Sequence, residues 1–159
     1  MNSASAVETA TGTWRVVGTL SKVHTEKREG LYNLTELIRD FVKSSGIEAG
    51  MVVVSSLHTT SAIFINEWQD ALVHDMKEYL ANVISKNDYF RHNDPAHSDC
   101  DRHNADSHIR ALLLGMSMTL QIANSDVVLG EFQSVIMAEF DGPRERSIRI
   151  QAMGIASEK

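Results

Sequence analysis

The sequence predicts an α+β domain, an antiparallel or mixed β-sandwich with flanking helices. Three observations predict it. Segments with the alternating apolar period of strands fill the second half of the chain, and they are joined by short turns, which antiparallel pairing permits. Three other segments carry the 3.6-residue apolar period of helices. The 159 residues, 43% hydrophobic and 23% charged, suit one domain with its own core.

The first twelve residues, MNSASAVETATG, are small and polar and are expected to be flexible, leaving 13–159 as a single domain. They lack the charged start and apolar centre of a secretory leader, and no stretch approaches the ~18 apolar residues of a membrane span. A cytoplasmic location with no membrane partner is the expectation. Residues 13–24, TWRVVGTLSKVH, read as a first strand. Asn33 with Glu36 resembles a capping box, and Leu34, Leu37, Ile38, Phe41 and Val42 make the buried face of the helix that follows, with Gly46 as its stop. MVVVSSLH, 51–58, is a buried strand by composition, and AIFINE continues as extended chain to Glu67.

A second helix spans 69–84, with Leu72, Met76, Leu80 and Val83 as its inner stripe. The polar segment 86–104 exceeds the ~12–15 residues beyond which an internal loop is usually functional or disordered. Asn104 caps a short helix, 105–114, with Ile109, Leu112 and Leu113 inward and Gly115 at its end. Strands at 117–122 and 127–140 are separated by the turn signal Asn124-Ser125-Asp126. Asp141-Gly142-Pro143 turns the chain into a last strand, 144–153, with Ile148, Ile150 and Ala152 on one face.

Twenty-one acidic residues outweigh fifteen basic ones, for a net charge of −6, so a nucleic-acid-binding surface is not expected. The one cysteine, Cys100, excludes an internal disulfide and a cysteine-rich zinc module.

Chemistry concentrates in three places. The stretch HNDPAHSDCDRHNADSHIR, 92–110, holds four of the seven histidines, His92, His97, His103 and His108, with four aspartates. A metal needs three or four converging ligands, but spacings of five, six and five residues match no helical ligand motif. Each histidine singly reads as part of a solvated loop. Their clustering favours at least one ligand or proton carrier, and His108, near a helix start, is the best placed.

LHTTSAIFINE, 57–67, puts His58 at the end of an apolar strand, where a neutral imidazole needs a partner. The neighbouring hydroxyls Thr60 and Ser61 read as backbone-satisfying groups. EFDGPRERSIR, 139–149, sets Glu139 and Asp141 before a turn and Arg144, Arg146 and Arg149 after it. Guanidiniums suit phosphate. Alone this is a salt-bridged hairpin; beside a histidine pocket it becomes an anion site. In the second helix His74 and Glu78 read as a surface pair, whereas Asp75 lies nearer the inner stripe.

HTTSAIFINE, HDM at 74–76, Y-x-x-H-N at 89–93, N-x-x-x-HI-x-x-LLLG over 104–115, LGEFQ at 129–133 and EFDGPRER at 139–146 occur in this order. As a set these motifs resemble the YjbQ-like family, described as secondary thiamine-phosphate synthases, and the resemblance covers residues 14–154. It implies a compact α+β sandwich that assembles as a homotrimer, with an active site near subunit contacts. It also implies a phosphorylated small-molecule substrate. Carried over position by position, His58, Glu67, Asp75 and His108 are the catalytic candidates. Asn66, Gln133, Glu139, Arg144 and Arg146 are the substrate-binding candidates. A divalent metal, zinc or magnesium, would be held by His58, His92 and His108. The implied reaction joins a pyrimidine pyrophosphate to a thiazole phosphate. Phe132 stands where many members have Trp, and 94–103 matches poorly, so His97 and His103 inherit no role. The competing expectations are a non-catalytic metal- or metabolite-binding protein, and a polar loop that is decoration.

Overall fold

The computed structural model describes residues 9–156; most of the segment expected to be flexible lies outside them. Eight strands and three helices follow one another as β1 (Thr13–His24), β2 (Gly30–Asn33), α1 (Thr35–Ser45), β3 (Ile47–Ser56), β4 (Ser61–Asn66), α2 (Asp70–Val83), α3 (Ala105–Leu114), β5 (Ser117–Ala123), β6 (Asp126–Val127), β7 (Ser134–Glu139) and β8 (Glu145–Ala156). They form a five-stranded sheet, ordered β1-β8-β3-β5-β6, and a three-stranded sheet, ordered β2-β7-β4. Every pairing among the described residues is antiparallel. No helix among them is long and apolar enough to cross a membrane.

The small sheet is covered on both faces. Ile63, Val135 and Met137 point toward the large sheet and meet Val52, Val54, Ile148 and Ile150, with Ile38 and Val42 of α1 closing that core. Ala62, Ala138 and Phe140 point the other way, to Leu80 of α2 and Ala111 of α3. This explains the unbroken apolar run VIMA in β7, since a strand buried on both faces cannot alternate. The β5–β6 hairpin turns through Asn124 and Ser125 at φ 53° and 61°, positive at both central positions as a tight hairpin requires.

Five expectations need correction. The short strand β2, four residues, carries too little periodicity to be read locally; its pairing with β7 makes it. At the start of α1, Leu34 rather than Asn33 is the capping position, although the Asn33 side chain accepts the Thr35 N–H at 2.9 Å. The strand expected over 127–140 is two strands. The chain leaves the large sheet after Val127 and turns at Gly130, whose N–H donates to the Gln133 side chain at 2.8 Å, before entering the small sheet.

In α2 only Leu80 is buried, and Val83 is half exposed. In α3 the apolar period misleads altogether: Asp106 and Arg110 are buried while Leu112 and Leu113 are 73% and 59% exposed. Arg110 donates to the Ile84 carbonyl from Nε (3.1 Å) and Nη2 (2.7 Å) and pairs with Glu29 at 2.9 Å. Those bonds fix the rotation of the helix against the pull of its leucines.

Candidate active site

The register of the small sheet decides what meets. Ser61 of β4 lies opposite Glu139 of β7. The turn before β4 (57–60) and the turn after β7 (140–144) are therefore adjacent. Glu139 is fully buried, which is tolerable only if the carboxylate is paired and its lone pairs are met. Arg146 donates to Oε2 at 2.5 Å and also to Oε1, Thr25 donates its hydroxyl at 3.1 Å, and the Asp141 N–H donates at 2.8 Å. Arg146, on the inward face of β8, donates a further bond to Thr60 Oγ1 at 2.9 Å. This network makes a rigid floor.

Above it stands Asp141. Its Oδ2 accepts from Asn104 (3.0 Å), Arg144 (3.2 Å) and Arg102 (3.3 Å). Arg144 is also held through Nε by the Asp141 carbonyl at 2.8 Å. One carboxylate oxygen thus gathers two guanidiniums from different segments.

Three imidazoles border this array. His58 sits two residues beyond β3, and its Nε2 accepts the Ser147 N–H at 2.7 Å. That bond needs the Nε2 lone pair, so the neutral ring carries its proton on Nδ1. Burial, followed by the nearby Arg146 charge, pushes the His58 pKa below its ordinary value. The pKa of His108, in the first turns of α3, is also lowered, first by burial and then by His92; the charges of Asp141 and Asp106, and last a bond to the Thr59 backbone, oppose this. His92 comes from the 3-10 turn Arg91–Asn93 and reaches Asn104 Oδ1 at 3.3 Å. Its ring meets that of His108 edge-on, with centroids 5.2 Å apart and planes at 87°.

These groups, with Leu57, Thr59 and Cys100, line a cavity of about 380 Å³. Three guanidiniums against the carboxylates of Asp141 and Glu139 leave an excess of one positive charge when the imidazoles are neutral. Such a hollow favours an anion.

Of the residues expected from sequence, His58, His92, His108, Arg144 and Arg146 line this cavity. Glu139 lies beneath it, spent on Arg146. Asn66, Glu67, Asp75 and Gln133 do not join them. Asn66, Glu67 and Gln133 stand near the other end of the β4–β7 pair, where Asn66 faces Ser134, about 17 Å along a six-residue strand. All four are exposed. Asp75, expected near the inner stripe of α2, has a side chain 74% exposed.

Three residues of the site carry no sequence signal for it. Asn104 was read as a helix cap, but it makes no side-chain cap bond and serves Asp141 instead. Arg102 carried no local signal. Thr25 is a lone hydroxyl far away in sequence; it accepts the Arg144 N–H at 2.8 Å and so ties the cationic turn to the end of β1.

Among the described residues no three His, Cys, Asp or Glu side chains gather as a metal-holding group. His58 has one lone pair, already given to Ser147, so the set His58, His92 and His108 does not present three free imidazole nitrogens.

Comparison with known proteins agrees with this architecture. Residues 19–155 match the family model described as UPF0047 protein YjbQ-like. A UPF0047 protein of Methanothermobacter thermautotrophicus is 39% identical over 132 residues, 83% of this chain and 88% of the relative. The UPF0047 protein YugU of Bacillus subtilis is 31% identical over 136 residues, 84% and 96% of the two chains. A crystal structure of a protein of unknown function from Sulfolobus solfataricus superposes with a TM-score of 0.83 at 26% identity, covering 89% of this chain and 99% of that one. An uncharacterised Clostridium acetobutylicum protein gives 0.76 at 30% identity, covering 84% and 98%.

Proposed function

The chain belongs to the YjbQ-like UPF0047 family, and from that premise and the chemistry of the cavity we propose an enzyme acting on a small phosphorylated metabolite in the cytoplasm. The observation that carries the reading is the convergence of Arg102, Arg144 and Asn104 on one oxygen of Asp141, beside two imidazoles whose pKa values are lowered. Guanidinium edges held this way are pre-organised for phosphate oxygens and need no reordering when an anion arrives. His108 is the proton carrier. Its depressed pKa keeps it neutral at neutral pH, ready to accept a proton from a substrate group. His58, held by Ser147, presents its Nδ1–H as a donor.

The finer reading is thiamine-phosphate formation. In that reaction the bond from the pyrimidine methylene to pyrophosphate breaks and a bond from that carbon to the thiazole nitrogen forms, with His108 holding a proton of the pyrimidine amino group while the carbon–oxygen bond breaks and returning it once the new bond has formed. Arg102, Arg144 and Arg146 would take up the charge of the departing pyrophosphate. We propose a homotrimer, the assembly that the family resemblance implies, with the exposed apolar side chains Leu112, Leu113, Trp14 and Val16 as surface available for contacts between copies; light scattering coupled to size exclusion reads the mass directly.

The purified chain is incubated with the two thiamine precursors, and product is followed by chromatography. His108→Ala is expected to keep the melting temperature and to lose about 10²–10⁴ in turnover. Binding of phosphate esters without turnover would favour a metabolite-binding protein. Full turnover in the His108 variant would remove the proton carrier named here.

A further inference from the structure

A second hollow abuts the cationic one and has no part in the reading above. It measures about 390 Å³ and is lined by Phe90, Arg91, His92, Ala105, His108 and Ile109. Two of these, His92 and His108, also line the cationic cavity. The edge-on imidazole pair is therefore a wall common to both.

The hollows differ in kind. One is walled by arginines, an asparagine and an aspartate. In the other, the non-imidazole walls are an aromatic ring, a branched aliphatic chain and a methyl group, with Arg91 as the one charged lining residue. The sequence builds the second hollow economically. Ala105, His108 and Ile109 are spaced i, i+3, i+4 on α3 and share one helix face. Phe90, Arg91 and His92 are consecutive where the 3-10 turn begins. Each element thus contributes one imidazole common to both hollows and at least one apolar side chain to the second. The space is ample, since a dry apolar cavity of ~150 Å³ already admits benzene.

We infer that the apolar hollow binds the uncharged, ring-sized end of the same ligand whose phosphate occupies the cationic cavity. The substrate class is a phosphate ester of a small aromatic or branched aliphatic group, with its reacting bond beside His92 and His108. The inference rests on the phosphate reading of the cationic cavity. It adds that the organic end is recognised by burial of apolar surface, and it names where. An ester with a polar, hydroxylated organic end would leave its hydroxyls facing Phe90 and Ile109 without partners and would bind less well.

Calorimetric titration of the full chain with methyl phosphate and phenyl phosphate separates the two readings. Wild type is expected to bind phenyl phosphate about tenfold or more tightly than methyl phosphate, as the extra buried carbons require. Ile109→Asn is expected to erase that advantage while leaving methyl phosphate affinity as it was. Ile109→Ala, which removes wall without adding polarity, is expected to lose part of it. Circular dichroism confirms the fold of both variants.

If methyl phosphate binds but the phenyl ring adds nothing, the apolar subsite is wrong and the phosphate reading stands. If Ile109→Ala in a folded protein weakens both esters equally, the hollow is structural and the inference also falls. If neither ester binds wild type, both readings fall.

Discussion

At the Ser61–Glu139 end of the β4–β7 pair, charged groups are buried and bonded in chains: Thr25 to Glu139, Glu139 to Arg146, Arg146 to Thr60, and Asp141 to three donors. At the Asn66–Ser134 end, Asn66, Glu67 and Gln133 are exposed, and their bonds are mostly local: Asn66 Oδ1 takes the Glu67 N–H at 2.9 Å and Gln133 takes that of Gly130. The same two strands therefore carry one end whose polar groups must be exact partners and one end whose groups answer mainly to water. Desolvation makes the difference. A buried charge is costly to strand, whereas an exposed amide loses little when its neighbour goes.

The sharpest way to break the contrast is to strand the buried charge. Arg146→Ala leaves Glu139 fully buried without its cation and is expected to cost about 3–5 kcal/mol, read by urea or thermal unfolding. Glu139→Leu combined with Arg146→Met is expected to recover most of that, because apolar groups of similar volume need no partner. If the double variant is as unstable as the single one, the cost belongs to the pair itself and not to the stranded carboxylate.

A step down in size is Asp141→Ala. It frees Arg102, Asn104 and Arg144 together and is expected to cost about 1–3 kcal/mol. Amide exchange should quicken over residues 91–104, since Arg102 and Asn104 fasten that segment to the turn after β7. Unchanged exchange there would mean that the loop is held by its bond from Ala105 N–H to Asn93 Oδ1 and by packing, not by Asp141.

How far the sequence reached follows the same division. Strands β1, β5 and β8 and helices α1 and α2 were legible because their signals are local: alternation, a 3.6 period, a turn at Asn124-Ser125. The rotation of α3 was not, because Arg110 finds its partners at Ile84 and Glu29, far off in sequence, and these outweigh two exposed leucines. The break in the 127–140 run was hidden because both pieces are apolar and only the switch from one sheet to the other separates them.

In the site, His58, His108 and Arg144 stood out as reactive types in odd places. Arg102 and Thr25 did not, since nothing near them in sequence points at Asp141 or Glu139. A count of imidazoles in the sequence does not reveal that the Nε2 lone pair of His58 already accepts the Ser147 N–H.

The imidazoles offer the next test of the cavity end. Both His58 and His108 have folded-state pKa values below the ordinary 6.5. As pH falls below that value the unfolded chain takes up protons before the folded one does. The stability these two rings support is therefore full above the unfolded value and is lost as pH drops through the folded one. Thermal melts between pH 7.5 and 5 should show a decline that His58→Gln and His108→Gln each reduce. A decline of the same size in both variants would assign it to other groups.

The smallest expected effect is at the far end of the strand pair, and it is the most informative about how the two ends relate. Asn66→Ala, Glu67→Gln and Gln133→Ala each remove an exposed group with local bonds, so each should change stability by no more than about 0.5 kcal/mol. Phosphate ester affinity should also stay as it is, because about 17 Å of strand separates these residues from the cationic cavity. A tenfold loss of affinity in any of them would overturn the separation. A small ester cannot span that distance within one chain, so the loss would require Asn66, Glu67 or Gln133 of a second copy to reach the cavity, and dilution of the assembly should then weaken binding in parallel.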